Sequence, residues 1–240
     1  MKGEGYEVIE REDGLVDPSD VAPGVYFARF EQWPEVERRG IAHAEGRVLD
    51  VGCGAGRVCL YLQEQRGLDV LGIESSPLAL KVAKARGVRR TKLVPFRDIA
   101  FGPGSFDTVV MYGNNFGLFA SRGQARRLLR RLYTMTSPRS KILCSSVDPY
   151  NTDNPDHVQY QRWNRARGRM PGQVKIRVRY RTYVGGWFDY LLVSPDEMEG
   201  LVKRTGWRVR RFLRSSESPL YVGVLEKEAA GPIVRRLEPV

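Results

Sequence analysis

The chain has 240 residues, enough for one sizeable α/β domain or for one domain with an insertion. Hydrophobic residues make up 42% of it, and no run of about 18 or more apolar residues predicts a membrane span. The polar, acidic beginning lacks the apolar stretch of a secretory signal. Three cysteines without paired-ligand spacing argue against a disulfide framework or a metal site. We therefore expect a cytoplasmic protein with reduced cysteines, no metal and no membrane contact.

The formal net charge of +11 raises the question of a nucleic-acid partner. Residues 175–181 form the densest basic strand, but charged and apolar residues alternate there, which is typical of a strand with one solvated face. The arginine-rich residues 126–132 likewise fit the solvated face of a helix. A nucleic-acid partner is therefore an alternative that the charge pattern does not favour.

The first part of the chain predicts little regular structure. Residues 1–25 are polar and interrupted by glycine and proline, which indicates an arm or an extended lead-in. Residues 25–39 predict a helix, broken or kinked near Pro34, with Tyr26, Phe30 and Trp33 on its apolar side.

From residue 46 onward strands and helices alternate, and this rhythm predicts a parallel sheet. The predicted strands are residues 47–51, 70–74, 92–94, 106–111 and 141–147, and the predicted helices are 57–65, 77–85 and 121–136. Ser76 and Ser121 are suited to cap the second and third of these helices. Pro95 follows the short third strand, and proline is tolerated at a sheet edge.

The alternation then stops. Residues 148–170 are polar with few apolar repeats, and we predict no helix or strand there. Residues 173–181 and 187–193 predict two strands joined as a hairpin. A capping box of Ser194 and Glu197 opens the last predicted helix, and two more strands follow it. That helix covers residues 195–205, and the strands cover residues 207–213 and 220–225.

The most informative segment is a loop with Gly52, Gly54 and Gly56, which follows the first strand and its Asp50. Glycine has no Cβ and tolerates positive φ, so this turn can bring bare backbone against a ligand. In the dinucleotide-binding motif G-x-G-x-x-G/A, counted from Gly52, the third small residue would fall at position 57, where this chain has Arg57. The spacing therefore favours a ligand without a pyrophosphate and disfavours a nucleotide-dependent oxidoreductase.

Glu74 ends the second predicted strand, where an acid can accept hydrogen bonds from both hydroxyls of a ribose. With this acid and the acid-x-G-x-G-x-G loop, the sequence resembles the class I S-adenosylmethionine-dependent methyltransferases. The resemblance covers roughly residues 40–226. It implies an α/β, Rossmann-like fold with a seven-stranded, mostly parallel sheet, helices on both faces and an antiparallel last strand.

The same resemblance implies the organisation of the chain. Residues 1–45 would form an N-terminal arm and a capping helix, although the aromatics of that helix equally suit packing on the sheet. Residues 46–226 would form the methyltransferase domain, with a lid or hairpin inserted at about 149–193. Residues 227–240 would form a tail.

The implied cofactor is S-adenosylmethionine. Its implied contacts are Asp50, Gly52, Cys53, Gly54, Gly56, Glu74, Ser75, Asp98, Ile99, Tyr112 and Gly113. Asp50 would take the ammonium directly or through water, and Glu74 the ribose. Asp98 would accept from the adenine amine while Ile99 packs on the ring, although Asp98 would also suit a turn cap. Cys53 would contribute its backbone alone.

The candidate catalytic residues are Asn114, Asn115, Asp148 and His157. The two asparagines lie after the fourth strand, where substrate and methyl donor meet in the family, and we expect one of them to be structural because asparagine favours turns. His157 is suited to act as a general base near neutral pH but has no spacing partner. The loop departs from the Asn/Asp-Pro-Pro-aromatic pattern of nucleic-acid amino-methylating enzymes.

Methyl transfer from a sulfonium is a direct displacement, which requires alignment and exclusion of water more than a catalytic triad. We therefore predict an S-adenosylmethionine-dependent methyltransferase with a small-molecule acceptor. An RNA or protein methyltransferase, suggested by the charge, and a non-catalytic S-adenosylmethionine-binding regulator are the alternatives.

Overall fold

Strands and helices alternate along most of the chain, of which the computed structural model describes residues 7–18, 23–216 and 218–228. The described elements are β1 (Glu7–Arg11), β2 (Val16–Pro18), α1 (Glu35–Ile41), β3 (Arg47–Val51), α2 (Arg57–Glu64), β4 (Asp69–Glu74), α3 (Pro77–Ala85), β5 (Thr91–Leu93), β6 (Phe106–Met111), α4 (Arg122–Met135), β7 (Thr136–Val147), α5 (Pro155–Ala166), β8 (Gln173–Tyr180), β9 (Tyr183–Val184), β10 (Phe188–Leu191), α6 (Pro195–Val202), β11 (Trp207–Leu213) and β12 (Leu220–Lys227).

The main sheet has seven strands in the order β11-β12-β7-β6-β3-β4-β5. Strand β12 runs antiparallel to both of its neighbours, whereas the pairs from β7 to β5 are parallel. The predicted fold class is therefore confirmed, including the short third strand at the edge. Because the carboxyl ends of the parallel strands meet at one edge of the sheet, the loops after β3, β4 and β6 lie together there.

Each face of this sheet carries its own hydrophobic core. Val48 and Val110 contribute to the core beneath α1, α2 and α3, whereas Leu49 and Val109 contribute to the core beneath α4 and α6. Successive residues of a strand point to opposite faces, so one apolar strand supplies both cores. The continuous apolar runs of β3 and β6 are the sequence signature of this double burial.

A second, smaller sheet has the strand order β10-β8-β1-β2, and β9 pairs with β8. We call it the lid sheet, comprising β1, β2, β8, β9 and β10. The predicted hairpin provides β8, β9 and β10, but the predicted extended arm provides β1, which pairs antiparallel with β8 so that Ile9 lies opposite Val178. Glu10 fixes this pairing with two hydrogen bonds from Arg177, at 2.8 and 2.7 Å.

Helix α5 corrects the prediction that residues 148–170 hold no helix or strand. Asn154 caps the helix by accepting a hydrogen bond from Asp156 N at 2.9 Å, and Pro155 occupies the first helical position. The buried face of α5 consists of Tyr160, Gln161 and Asn164. Because these side chains are polar or amphipathic, the helix has no apolar period for a sequence pattern to reveal.

The helix predicted over residues 25–39 is confirmed only after Pro34, where the predicted break falls. Two 3₁₀ turns, Pro23–Phe27 and Phe30–Gln32, precede α1, which begins only after Pro34. Proline disfavours helical backbone in the residue before it, and Trp33 is accordingly extended, with ψ at 154°. The predicted arm and tail also include residues 1–6, 19–22 and 229–240, which lie outside the described residues.

Candidate active site

The glycine loop after β3 has three left-handed positions, with φ of +71° at Gly52, +53° at Gly54 and +84° at Gly56. A Cβ at Gly52 would clash with the Asn115 side chain, and a Cβ at Gly56 would clash with Val88. A Cβ at Gly54 would meet no atom within 4 Å. Gly52 and Gly56 are therefore required by packing, whereas Gly54 borders open space at the carboxyl edge of the sheet.

Glu74, at the end of β4, lies directly beside this loop. Its Oε2 accepts a hydrogen bond from Gly54 N at 3.1 Å, and its Oε1 accepts from Ser75 N at 2.7 Å and from Ser76 N at 3.0 Å. Three backbone donors thus hold the carboxylate in place beside Gly54. Ser75 is among the predicted cofactor contacts, and in the structure its backbone and hydroxyl orient Glu74.

Asp50 lies beneath the loop and is only 2% exposed. Its Oδ2 accepts a hydrogen bond from the Cys59 thiol at 3.2 Å. Burial raises the pKa of the Asp50 carboxyl to about 7. Because the carboxyl is enclosed, we no longer expect it to contact an ammonium group directly, and a contact through water stays a prediction.

The raised pKa of Asp50 predicts a pH-dependent free energy of unfolding. Since the carboxyl is protonated more readily in the folded state, its favourable contribution is full below about pH 4 and is lost as the pH rises to about 7. We expect Asp50→Asn to remove a decline on the order of 3–4 kcal/mol over this range. Urea unfolding of both proteins at pH 4 and pH 7 measures the difference, and equal pH dependence would contradict the assignment.

Three other predicted cofactor contacts have side chains in the protein interior. Ile99 is fully buried in the core beneath α4, so the prediction that it packs on the adenine ring is wrong for this arrangement. The Tyr112 hydroxyl lies against Gly40 of α1, and the Cys53 thiol packs against Gly72. Asp98, by contrast, keeps its carboxylate exposed beyond β5, next to Arg97.

Glu37 of α1 is a buried acid beside the site that the sequence pattern did not reveal. It is completely buried, and its Oε1 accepts hydrogen bonds from Gly113 N at 2.7 Å and from Ser145 Oγ at 3.0 Å. Its Oε2 forms an ion pair with Arg57 at 2.6 Å. The Arg57 guanidinium in turn lies 4.8 Å from the centre of the Trp33 ring. One carboxylate therefore ties α1 to the start of α2 and to the loop after β6.

Both asparagines of that loop support the backbone. Asn115 Nδ2 donates to the carbonyls of Val51 at 2.9 Å and Gly52 at 3.1 Å. Asn114 has a left-handed φ of +66°, and its Oδ1 accepts from Val147 N at 2.9 Å. We expected one asparagine to be structural, and the structure shows that both hydrogen-bond to the backbone. We therefore assign both of them to support of the loop.

The other two catalytic candidates also have local partners. Asp148 Oδ1 accepts from Tyr150 N at 3.0 Å, which is an Asx turn after β7. His157 Nδ1 lies 3.1 Å from Thr152 Oγ1 in the turn before α5. Within the described ranges, no hydrogen bond or ion pair connects either side chain to Gly113, and a catalytic role for either residue stays a prediction.

The lid sheet contacts both loops of the site. On one side, Tyr190 of β10 donates its hydroxyl proton to the Asn114 carbonyl, and its ring covers Gly117 so closely that no Cβ would fit there. On the other side, Tyr26 donates to Glu7 of β1 at 2.9 Å. The turn that carries Tyr26 is held to the glycine loop, because Arg86 donates to the Ala55 carbonyl at 2.6 Å and to the Tyr26 carbonyl at 3.4 Å.

Neither a metal cluster nor a membrane span occurs in the described part of the chain. Among residues 7–18, 23–216 and 218–228, no three His, Cys, Asp or Glu side chains are grouped so as to hold a metal ion. In the same ranges, no helix has the length and apolarity needed to cross a bilayer.

Comparison with known proteins finds similarity to methyltransferases. A family model described as a methyltransferase domain matches residues 48–139. An uncharacterized methyltransferase of Synechocystis is 39% identical over 82 residues, which are 34% of this chain and 37% of that protein. A solved S-adenosylmethionine-dependent methyltransferase from Bacteroides fragilis, in complex with S-adenosylhomocysteine, superposes with a TM-score of 0.77 at 25% identity, covering 94% of this chain and 89% of that one. The CcbJ methyltransferase from Streptomyces caelestis shares the fold, with a TM-score of 0.60 at 16% identity, covering 85% of this chain and 98% of that one.

The fold, the glycine loop with its neighbouring acid and these similarities support a class I S-adenosylmethionine-dependent methyltransferase, with the family model itself matching residues 48–139. The predicted family and cofactor are thereby confirmed. The matches to curated relatives span less than half of each relative's length, from 37% to 48%.

Proposed function

We propose that this protein transfers the methyl group of S-adenosylmethionine to a small-molecule acceptor by direct displacement. The observation that carries the proposal is the lid sheet, which contacts the loops on both sides of the site. The lid sheet is fixed through Tyr190 to the loop after β6 and through Tyr26 to the turn beside the glycine loop. An enclosed site of this kind suits a small acceptor better than a polymer.

The residues at the carboxyl edge fit the cofactor. Gly54 leaves space for a ligand against bare backbone, and the Glu74 carboxylate is fixed beside it, where it is suited to accept from ribose hydroxyls. Asp98 presents an exposed carboxylate farther along the same edge. When bound, the cofactor supplies an activated methyl group on its sulfonium.

The remaining residues orient the reactants and exclude water. Glu37 fixes the Gly113 backbone, and the two asparagines hold the rest of that loop, so the site is organised before the acceptor arrives. The hydrogen bond from the Tyr190 hydroxyl to the Asn114 carbonyl joins the lid sheet to the same loop. Such a site promotes displacement by alignment, and no titrating base is assigned a part in it.

The RNA alternative is less well supported. An RNA acceptor would use the arginines of β8, but Arg177 and Arg179 are both paired with Glu10. A non-catalytic regulator would bind the cofactor through the same open loop at Gly54, so the transfer experiment separates it from an enzyme.

The proposal is tested in two stages with the full chain. Calorimetry should show binding of S-adenosylhomocysteine, and incubation with S-adenosylmethionine carrying a labelled methyl group should label an acceptor in a small-molecule extract. Label found in RNA or protein would favour the first alternative. Binding without transfer to any fraction would favour the regulator.

Replacing Glu74 with alanine should weaken the binding of S-adenosylhomocysteine by about 1–3 kcal/mol, because a charge-assisted contact with the ribose is lost. Calorimetry measures the change. Glu64→Ala is the matched control, because Glu64 is an exposed acid at the end of α2. Equal affinities of the two variants would remove Glu74 from the cofactor site.

A further inference from the structure

The strand register sorts the lid sheet into two chemically different faces. Residues directly opposite each other in an antiparallel pair lie on the same face, and the side chains alternate along each strand. Val178 lies opposite Ile9, Ile176 lies opposite Phe188, and Val174 lies opposite Tyr190. We call the face that carries these six residues the inner lid face.

The opposite face is charged, and its two arginines are paired with one glutamate. It carries Lys175, Arg177 and Arg179 of β8 together with Glu10 and Asp189. Glu10 pairs with Arg177 at 2.7 Å and with Arg179. This is the solvated face that the alternation of residues 175–181 predicted.

The inner lid face is directed toward the active site. Tyr190, on this face, contacts the Asn114 carbonyl and Gly117, which belong to the loop after β6. Glu7 shares the face because it lies opposite Tyr180, and it accepts the hydrogen bond from Tyr26. Both sides of the site are therefore in contact with this one surface.

The apolar side chains between these two contacts belong to neither core of the main domain. Ile9, Val174, Ile176 and Val178 are half-buried and Phe188 is exposed. In the part of the chain that the structure describes, none of these five packs in or against either hydrophobic core cluster. Apolar surface over a binding crevice is what an apolar ligand would cover.

Charged side chains on the inner lid face are hydrogen-bonded to neighbours or lie at its edge. Glu7 is bound to Tyr26, and Arg11 is buried against Tyr160 and paired with Asp13 at 2.7 Å. Asp17 of the edge strand β2 also shares the face and is exposed. The centre of the face thus offers aliphatic and aromatic contacts without a charged group.

We propose that the inner lid face binds the body of the methyl acceptor, and that the acceptor is an uncharged molecule with an aliphatic or aromatic skeleton. The inference rests on the proposed function and adds the substrate class to it. Burial of one valine- or isoleucine-sized contact strengthens binding by roughly tenfold or more, so a few such contacts are enough to select an apolar body.

The test uses the full chain, saturated with S-adenosylhomocysteine, and the neutral apolar fluorophore N-phenyl-1-naphthylamine as the probe. The variant Ile176→Thr/Val178→Thr removes apolar surface from the inner lid face and keeps β-branched side chains. Lys175→Thr is the matched control, because Lys175 lies next to Ile176 in β8 but on the opposite face. We expect saturable fluorescence enhancement in the wild type and in the control, with roughly tenfold weaker binding in the double variant.

Several outcomes would overturn the inference. Equal probe affinity in the double variant and the control would do so, as would probe displacement by a short single-stranded RNA. Loss of a dimer in the double variant, measured by sedimentation, would assign the face to a second copy of the chain. If the double variant does not fold, the same comparison of probe affinity is made between Phe188→Ser and the control.

Failure of the proposed function is distinguishable from failure of this inference. A wild-type protein that does not bind S-adenosylhomocysteine in calorimetry would contradict the proposed function itself. A protein that binds it normally, and whose probe binding is insensitive to the inner lid face, would contradict the substrate class alone.

Discussion

Replacing Gly54 with valine is expected to abolish binding of S-adenosylhomocysteine, with affinity lower by roughly a hundredfold or more. Gly54 has a φ of +53°, which β-branched residues rarely adopt, and its missing side chain borders open space beside Glu74. A valine there would both strain the loop and fill the space where the cofactor contacts bare backbone. Calorimetry with S-adenosylhomocysteine measures the loss.

Gly67→Val separates these two effects. Gly67 has a similar φ of +62°, and a Cβ placed on it would also meet no atom within 4 Å, but it lies in the turn after α2. Both variants should therefore lose a similar amount of folding free energy, about 1–2 kcal/mol from the backbone strain. Only Gly54→Val should lose the ligand, and a comparable loss of affinity in both would show that strain, not the crevice, controls binding.

The second large effect is expected at Glu37. Replacing it with alanine leaves Arg57 as an uncompensated, largely buried cation and removes the acceptor for Gly113 N and Ser145 Oγ. Breaking a buried ion pair in this way typically costs about 3–5 kcal/mol of folding free energy. Urea unfolding measures this cost, and a lower rate of methyl transfer should accompany it because the loop after β6 loses its support.

Two further variants show whether the loss of folding free energy comes from the buried pair of Glu37 and Arg57. Glu35→Ala changes an exposed acid on the same helix, which pairs with Arg39 at 3.4 Å, and should cost no more than about 0.5 kcal/mol. Adding Arg57→Met to Glu37→Ala removes the unpaired cation and should recover part of the lost stability. The role assigned to Glu37 is wrong if Glu37→Ala and Glu35→Ala unfold at the same urea concentration.

The main sheet was largely predictable because its signals are local. The apolar runs of β3 and β6 and the bounds of α3 agree with the sequence expectation. Ser76, Ser121 and the Ser194 capping box form their predicted hydrogen bonds. Such elements are specified within a few residues, so one sequence is enough to locate them.

The lid sheet was only half predictable because its pairing is not local. The alternation in β8 indicated a strand with one solvated face, but nothing in residues 7–11 indicates β8 as their partner. Helix α5 was missed because its buried side chains, including Gln161 and Asn164, are polar.

The residues of the candidate site were also only partly predictable from the sequence. Gly54 and Glu74 were found because a backbone turn and an acid at a strand end have positional meaning within the fold. Residue type alone did not show whether Asn114 and Asn115 face a ligand or the backbone. Glu37 looked like an ordinary surface acid, because the groups it contacts come from distant elements.

The pairing of β1 with β8 has a consequence for how the protein is made. The contact between Glu10 and Arg177 joins positions 167 residues apart. During translation, β1, the glycine loop and Glu74 all leave the ribosome before β8, the partner strand of β1, is synthesised. The residues of the cofactor loops are therefore synthesised before the strand that completes the lid sheet, and pairing β1 with β8 carries the entropy cost of closing a long segment.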